Sequence, residues 1–179
     1  MPFAVRTMLG LALVLANPVF GATPAPVAPA SAASPAHVAA VQELLRAMQI
    51  EKTLWGVATR SRYATDKQRQ AVFAKIEKTP AAEVYRRMAP ALTRVISSDT
   101  ATEMTRFYAT PYGKQVIHRK YNSGAQIMLP GMGAGVSPEE KKARQRPAYV
   151  KASKELADAE PAIDHAAFVA LQAIDKETR

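Results

Sequence analysis

Residues 104–121, MTRFYATPYGKQVIHRKY, decide how the chain folds. Ala101, Met104, Phe107 and Tyr108 recur at helical spacing and form one apolar stripe. Asp99 is placed to cap the start of that helix, and Glu103 to favour its positive N-terminal end. Pro111 lacks an N–H and clashes with the preceding turn, so the first helix ends there. Proline suits the first position of a new helix, with Thr110 as its cap. Gly113 removes a side chain and lets a neighbouring segment approach the backbone. Lys114 follows as an exposed cation, and Val116, Ile117 and Tyr121 continue an apolar face. The stretch reads as helix, corner, helix, with its aromatics turned inward.

The same devices recur on both sides. Ser34-Pro35 opens a helix whose Val38, Val41, Leu44, Leu45 and Met48 share one face. A segment through Leu54, Trp55, Val57 and Ala58 runs towards Tyr63, with Gly56 weakening its continuity. Asp66 is placed to cap a helix carrying Val72, Phe73 and Ile76. Thr79-Pro80 repeats the cap-and-proline start for a helix through Val84, Tyr85, Met88 and Leu92, with Pro90 as a kink inside it. The helix from Pro111 runs to about Leu129, and a glycine-rich loop over 130–135 ends it. Ser137-Pro138-Glu139-Glu140 is a capping box that opens a highly charged helix interrupted at Pro147. Pro161 starts a last helix with Ile163, Ala167, Leu171 and Ile174 on one face. No segment alternates with period two, so strands are not expected. The expected fold is all-α: one domain of about six to eight short, proline-kinked helices.

The run Phe107-Tyr108-x-Thr110-Pro111-x-Gly113-Lys114 resembles the signature of a bacterial family of exported helical proteins, catalogued as domain of unknown function 2059. Upstream, Met88-Ala89-Pro90 and Ser97-Ser98-Asp99 are also similar, although Leu92 stands near where the family pattern has a tyrosine. The resemblance covers about residues 84–128. It implies a helical fold and export, and no particular reaction.

The N-terminus reads as an export signal. Arg6 is its basic head, residues 8–19 its short apolar centre, and Gly21-Ala22 its cleavage site. The apolar run is too short for a span and contains Asn17 and Pro18. Residues 1–21 are therefore expected to be a cleaved signal read by the general secretory route, since no twin arginine is present. Residues 22–33 form a Pro/Ala-rich linker, and 34–179 the helical domain. With no cysteine, the chain has no lipidation site, disulfide or cysteine-based zinc site. The expected compartment is the periplasm, for a protein neither lipidated nor transmembrane.

Charge is uneven. After the signal is removed, 23 basic groups face 15 acidic ones, a net +8. Residues 46–94 hold eleven basic groups against four acids, whereas the tail from Glu155 carries six acids. Such a basic body with an acidic end attracts anionic surfaces or closes on itself. Arg60, Arg62, Arg86, Arg87, Arg119 and Lys120 are the candidate contacts to an anionic surface, weighed against a merely solvated basic face.

Catalytic patterns are missing. His37, His118 and His165 have no metal-ligand spacing, and the glycines of 131–135 lack a preceding strand and the phosphate-loop Lys-Ser/Thr. Neither a metal nor a cofactor is expected, and nucleic acid is an unsuitable partner for an exported chain. Phe107, Tyr108, Tyr112 and Trp55 read as core or as the lining of a ligand groove. Two functions follow. One is a non-enzymatic binding module for anionic lipid, a cell-wall component or an envelope protein. The other is a small-ligand carrier or enzyme with a cleft at the Tyr108–Lys114 helix corner, where the family-like Phe107, Tyr108, Thr110, Pro111, Gly113 and Lys114 are expected to be mostly structural.

Overall fold

A computed structural model describes residues 33–122 and 137–177. Helix α1 (Pro35–Ala47) starts as its sequence dictates: Ser34 accepts a hydrogen bond from the His37 N–H at 3.2 Å, and Pro35 fills the first turn. The chain then reverses through Gln49, whose φ of 51° is left-handed, into a short 3-10 turn, Ile50–Lys52. Next come α2 (Thr53–Arg60), α3 (Asp66–Lys78), α4 (Ala81–Leu92), α5 (Ser98–Ala109) and α6 (Pro111–Asn122). After residues 123–136, α7 (Pro138–Arg144), α8 (Pro147–Asp158) and α9 (Glu160–Lys176) complete the described chain. These residues contain nine α-helices and no strand, all within one unit, Ala32–Arg179.

Two helices organise the packing. α5 lies against α1, α6 and α8; α9 lies against α2, α3 and α4; and α4 touches α1 as well as α9. The apolar stripes read from the sequence are the buried ones. Val41, Leu44 and Leu45 of α1 meet Ala101, Met104 and Phe107 of α5 in the common core, and α9 adds Ile163, Ala167, Leu171 and Ile174. Burying one such side chain contributes about 1.5–3 kcal/mol, which is how a chain without disulfides holds together.

Several boundaries differ from expectation, each for a local reason. Ser97, not Asp99, caps α5: its backbone is extended and its hydroxyl accepts from the Thr100 N–H at 3.2 Å, leaving Asp99 in the first turn. Thr65, not Asp66, caps α3 in the same way. Pro80 stands at the N-cap of α4 instead of inside it, because the Thr79 hydroxyl donates back to the Lys75 carbonyl at 2.8 Å and finishes α3. α2 ends at Arg60, and Tyr63 folds back to donate to the Ala58 carbonyl at 3.0 Å. Glu103 does not serve the helix terminus. It is buried, and it accepts from Arg106 at 3.3 Å and from Arg146, which clamps the α7–α8 corner onto α5. Pro147 separates α7 from α8 at the expected interruption, and the described residues hold nine α-helices where about six to eight are expected. The expected run of α6 to Leu129, the glycines of 131–135, the signal and nearly all of the linker lie outside the described residues. Among those described, no helix is long and apolar enough to cross a membrane.

Candidate functional site: a tyrosine-lined cleft

The corner at Thr110-Pro111 builds the site. Thr110 closes α5 by donating to the Phe107 carbonyl at 2.7 Å and opens α6 by accepting from the Gly113 N–H at 3.0 Å. Gly113 is buried against the end of α5. A Cβ there would stand 2.1 Å from the Phe107 carbonyl oxygen and 2.6 Å from the Tyr108 Cα, contacts no side chain tolerates. Only glycine permits this angle between the two helices. At its far end α6 is fixed by Tyr121, whose hydroxyl lies 3.3 Å from the Thr53 hydroxyl and whose ring lies under Lys52, 5.6 Å from centroid to ammonium. α6 therefore spans from α5 to α2.

Beneath that span lies a cleft of about 740 Å³. Its floor is core: Ile50, Met104, Phe107, Leu156 and Ile163 are all buried. Its walls carry Tyr108, Tyr112, Tyr121 and Tyr149, four of the six tyrosines in the chain. Phe107 is the hub of this cluster, with ring centroids 5.3 Å from Tyr108, 6.0 Å from Tyr112 and 4.7 Å from Tyr149. Tyr112 donates to Glu140 at 2.6 Å, which lowers the Glu140 pKa and raises that of the tyrosine. Burial pushes Tyr108 up to about 12, and burial likewise raises Tyr121 and Tyr149. All four are neutral hydroxyl donors at pH 7. Those of Tyr108 and Tyr149 have no hydrogen-bond partner among the described residues, and neither is sealed from the cleft.

Glu140 shows what the sequence pattern concealed. Ser137 accepts from the Glu140 N–H at 3.1 Å, so half of the capping box forms. The Glu140 carboxylate does not return the bond; it turns into the cleft, to Tyr112 and Arg144. A phenol and a guanidinium together outbid a single backbone N–H.

The rim is charged. Lys52, Arg60, Arg119 and Lys120 face Glu140, Glu160 and Asp164. Lys120 reaches Glu160 at 4.0 Å, Lys52 donates to Gln49 at 2.6 Å, and the Arg119 guanidinium lies 5.9 Å from the Tyr112 ring centroid. Arg60 and Asp164 have no ion pair or hydrogen bond among the described residues.

The candidate surface cations thus part company. Arg60, Arg119 and Lys120 meet at the cleft, and Arg62 is exposed just beyond α2. Arg86 and Arg87 lie on α4 and are engaged: Arg86 donates to Glu83 at 2.9 and 2.6 Å, and Arg87 to Glu83 at 2.7 Å and to Glu177. These arginines hold Glu83 down to about 2. Glu177 adjoins the end of α9 opposite to Glu160, and a helix of 17 residues is about 25 Å long. The six cations therefore do not form one anionic-surface face.

Of the corner residues, Phe107 is buried core, Tyr108 lines the cleft, and Thr110, Pro111 and Gly113 set the geometry. Lys114 is exposed on the other side of α6, in a groove shared with Glu43, Arg46 and His118. Trp55 does not line the cleft; it is partly exposed and lies against Phe73, centroids 5.0 Å apart. No histidine lines the cleft either, and the His37 Nε2 lies 2.7 Å from the Ile96 carbonyl oxygen. Among the described residues no three potential ligands cluster in a way that could hold a metal ion.

No family model, curated protein or solved structure matches the chain.

Proposed function

We propose that the chain is a non-catalytic binding module of the bacterial periplasm that takes a small organic ligand in the tyrosine-lined cleft. One observation carries this: four of the six tyrosines converge on one concavity of about 740 Å³, and two of their hydroxyls have no partner among the described residues. Such a volume suits a ligand of drug-like size, with an apolar floor for its body and a few polar groups to orient it. The compartment rests on the signal-like N-terminus and on the resemblance of Phe107–Lys114 to an exported family. The cleft presents no imidazole, and Glu140 is an ionised acceptor locked by Tyr112 and Arg144, so these groups orient a ligand instead of shuttling protons. The broader alternative, a basic face on lipid or cell wall, loses Arg86 and Arg87 to their ion pairs.

The test is thermal unfolding of the mature chain with the low-mass fraction of a bacterial envelope extract. The same assay is run on Val116→Trp, which fills the cleft from α6. A ligand in the cleft raises the melting temperature of the wild type and not of the variant. An equal rise in both places binding elsewhere, and no rise in either removes the proposal.

A further inference from the structure

We infer that the cleft selects a ring bearing a carboxylate, and that Arg60 is the residue that anchors it. The inference rests on the cleft being a ligand site and names the ligand's chemistry.

Charge at the rim comes first. Lys120 is paired with Glu160, and Glu140 is held by Arg144 from outside the cleft, so Lys52, Arg60 and Arg119 face the single carboxylate Asp164 and the rim is left positive. That excess suits an anion. One of the four rim cations lacks any contact of this kind, whereas the other three are engaged: Lys120 has Glu160, Lys52 has Gln49 and the Tyr121 ring, and Arg119 has the Tyr112 ring. Arg60 has none among the described residues.

The helix is adapted to this arginine. Gly56 lies inside α2 one turn before Arg60, a position where glycine weakens a helix relative to alanine. A Cβ on Gly56 would meet the Arg60 Nη1 at 3.3 Å. The guanidinium therefore lies back along α2 over the glycine, and both residues line the cleft. A planar, five-donor fork held in that way matches the two oxygens of a carboxylate.

The body of the ligand follows from the walls. The tyrosine rings offer flat faces, and the free hydroxyls of Tyr108 and Tyr149 offer neutral donors beside Thr53 and Ser153. Rings with polar substituents satisfy both, whether aromatic acids or acidic sugars.

Calorimetric titration of the mature chain with two matched pairs tests this: 3-(4-hydroxyphenyl)propionate against its amide, and N-acetylmuramic acid against N-acetylglucosamine. At least one acid binds about tenfold or more tighter than its neutral counterpart, the effect of one charge-assisted hydrogen-bond pair. The pair that shows the preference distinguishes an aromatic acid from an acidic sugar. Arg60→Gln abolishes the preference. Gly56→Ala weakens acid binding without lowering the melting temperature, because the displaced group is the flexible end of Arg60. Equal affinity of acid and neutral compound, or a preference that survives Arg60→Gln, overturns the inference while the cleft reading stands. Binding of none of the four also overturns it, and the extract experiment with Val116→Trp then decides the cleft reading separately.

Discussion

The two ends of α9 handle charge in opposite ways. At the C-terminal end Asp175 and Glu177 close on the basic body: Lys75 reaches Asp175 at 3.6 Å, and Arg87 is shared between Glu83 and Glu177. At the N-terminal end Glu160 reaches Lys120 at 4.0 Å, yet Asp164 and Arg60 stay unpaired among the described residues, and the tyrosine cleft lies open between α2, α6 and α8. Both ends have acids on α9 and bases on the helices opposite. The difference lies in what separates them. At one end tyrosine rings line a gap between α6, α2 and α8, whereas at the other α3 and α4 pack directly on α9. A basic excess in a sequence thus divides into cations that close the fold and cations that are left for something else.

The largest effects should come from removing the scaffold of the open end. Phe107→Ala takes away the hub of three aromatic contacts and should cost about 3–5 kcal/mol in denaturant unfolding. An unchanged unfolding midpoint would show that the cluster does not hold the cleft together. Gly113→Ala forces apart the backbones of α5 and α6 and should cost about 3 kcal/mol, since the clash is with main chain. A stability equal to wild type would mean that the corner can open freely.

At the closed end the effects are smaller. Arg87→Ala should cost about 1 kcal/mol, because the pairs it breaks are only partly shielded from water. Acid should act on the same network. The folded-state pKa of Glu83 is depressed from an ordinary 4.5 to about 2, so its contribution is complete above pH 4.5 and is lost as pH falls towards 2. Melting temperatures measured across that window should decline less steeply in Glu83→Gln than in wild type. Parallel curves would detach Glu83 from acid stability. Tyr108 works in the other direction: its folded pKa is raised from 10 to about 12, so its contribution is complete below pH 10 and fades as pH rises towards 12. The smallest effect belongs to Arg60→Gln, which should change stability by no more than about 0.5 kcal/mol, as expected for an exposed group without partners. A larger loss would make Arg60 a structural residue.

Much of this was legible in the chain. The stripes of α1, α5 and α9 and the starts at Ser34, Thr110 and Ser137 follow from local rules, because a cap and a proline act within one turn. The caps misplaced by one or two residues, Asp99 for Ser97 and Asp66 for Thr65, reflect a run of polar residues any of which can cap; backbone geometry chooses among them. The corner could be read as a corner, and Tyr108 and Tyr112 as core or groove. Tyr121, Tyr149, Glu140 and Asp164 could not be assigned to the site, because they reach it from α6, α8, α7 and α9 through contacts far apart in sequence. Glu140 was also concealed by a convincing capping pattern, and Arg87 by the distant Glu177. Gly56 was visible only as a weak point in a helix; its relation to Arg60 needs the fold.

The most direct measurement is a two-dimensional amide NMR titration of the mature chain with the low-mass envelope fraction. Binding at the open end predicts shifts grouped on residues 52–60, 108–121 and 149–164, with 75–87 and 174–177 unmoved. Shifts concentrated around Arg86, Arg87 and Glu177, or none at all, would contradict the account.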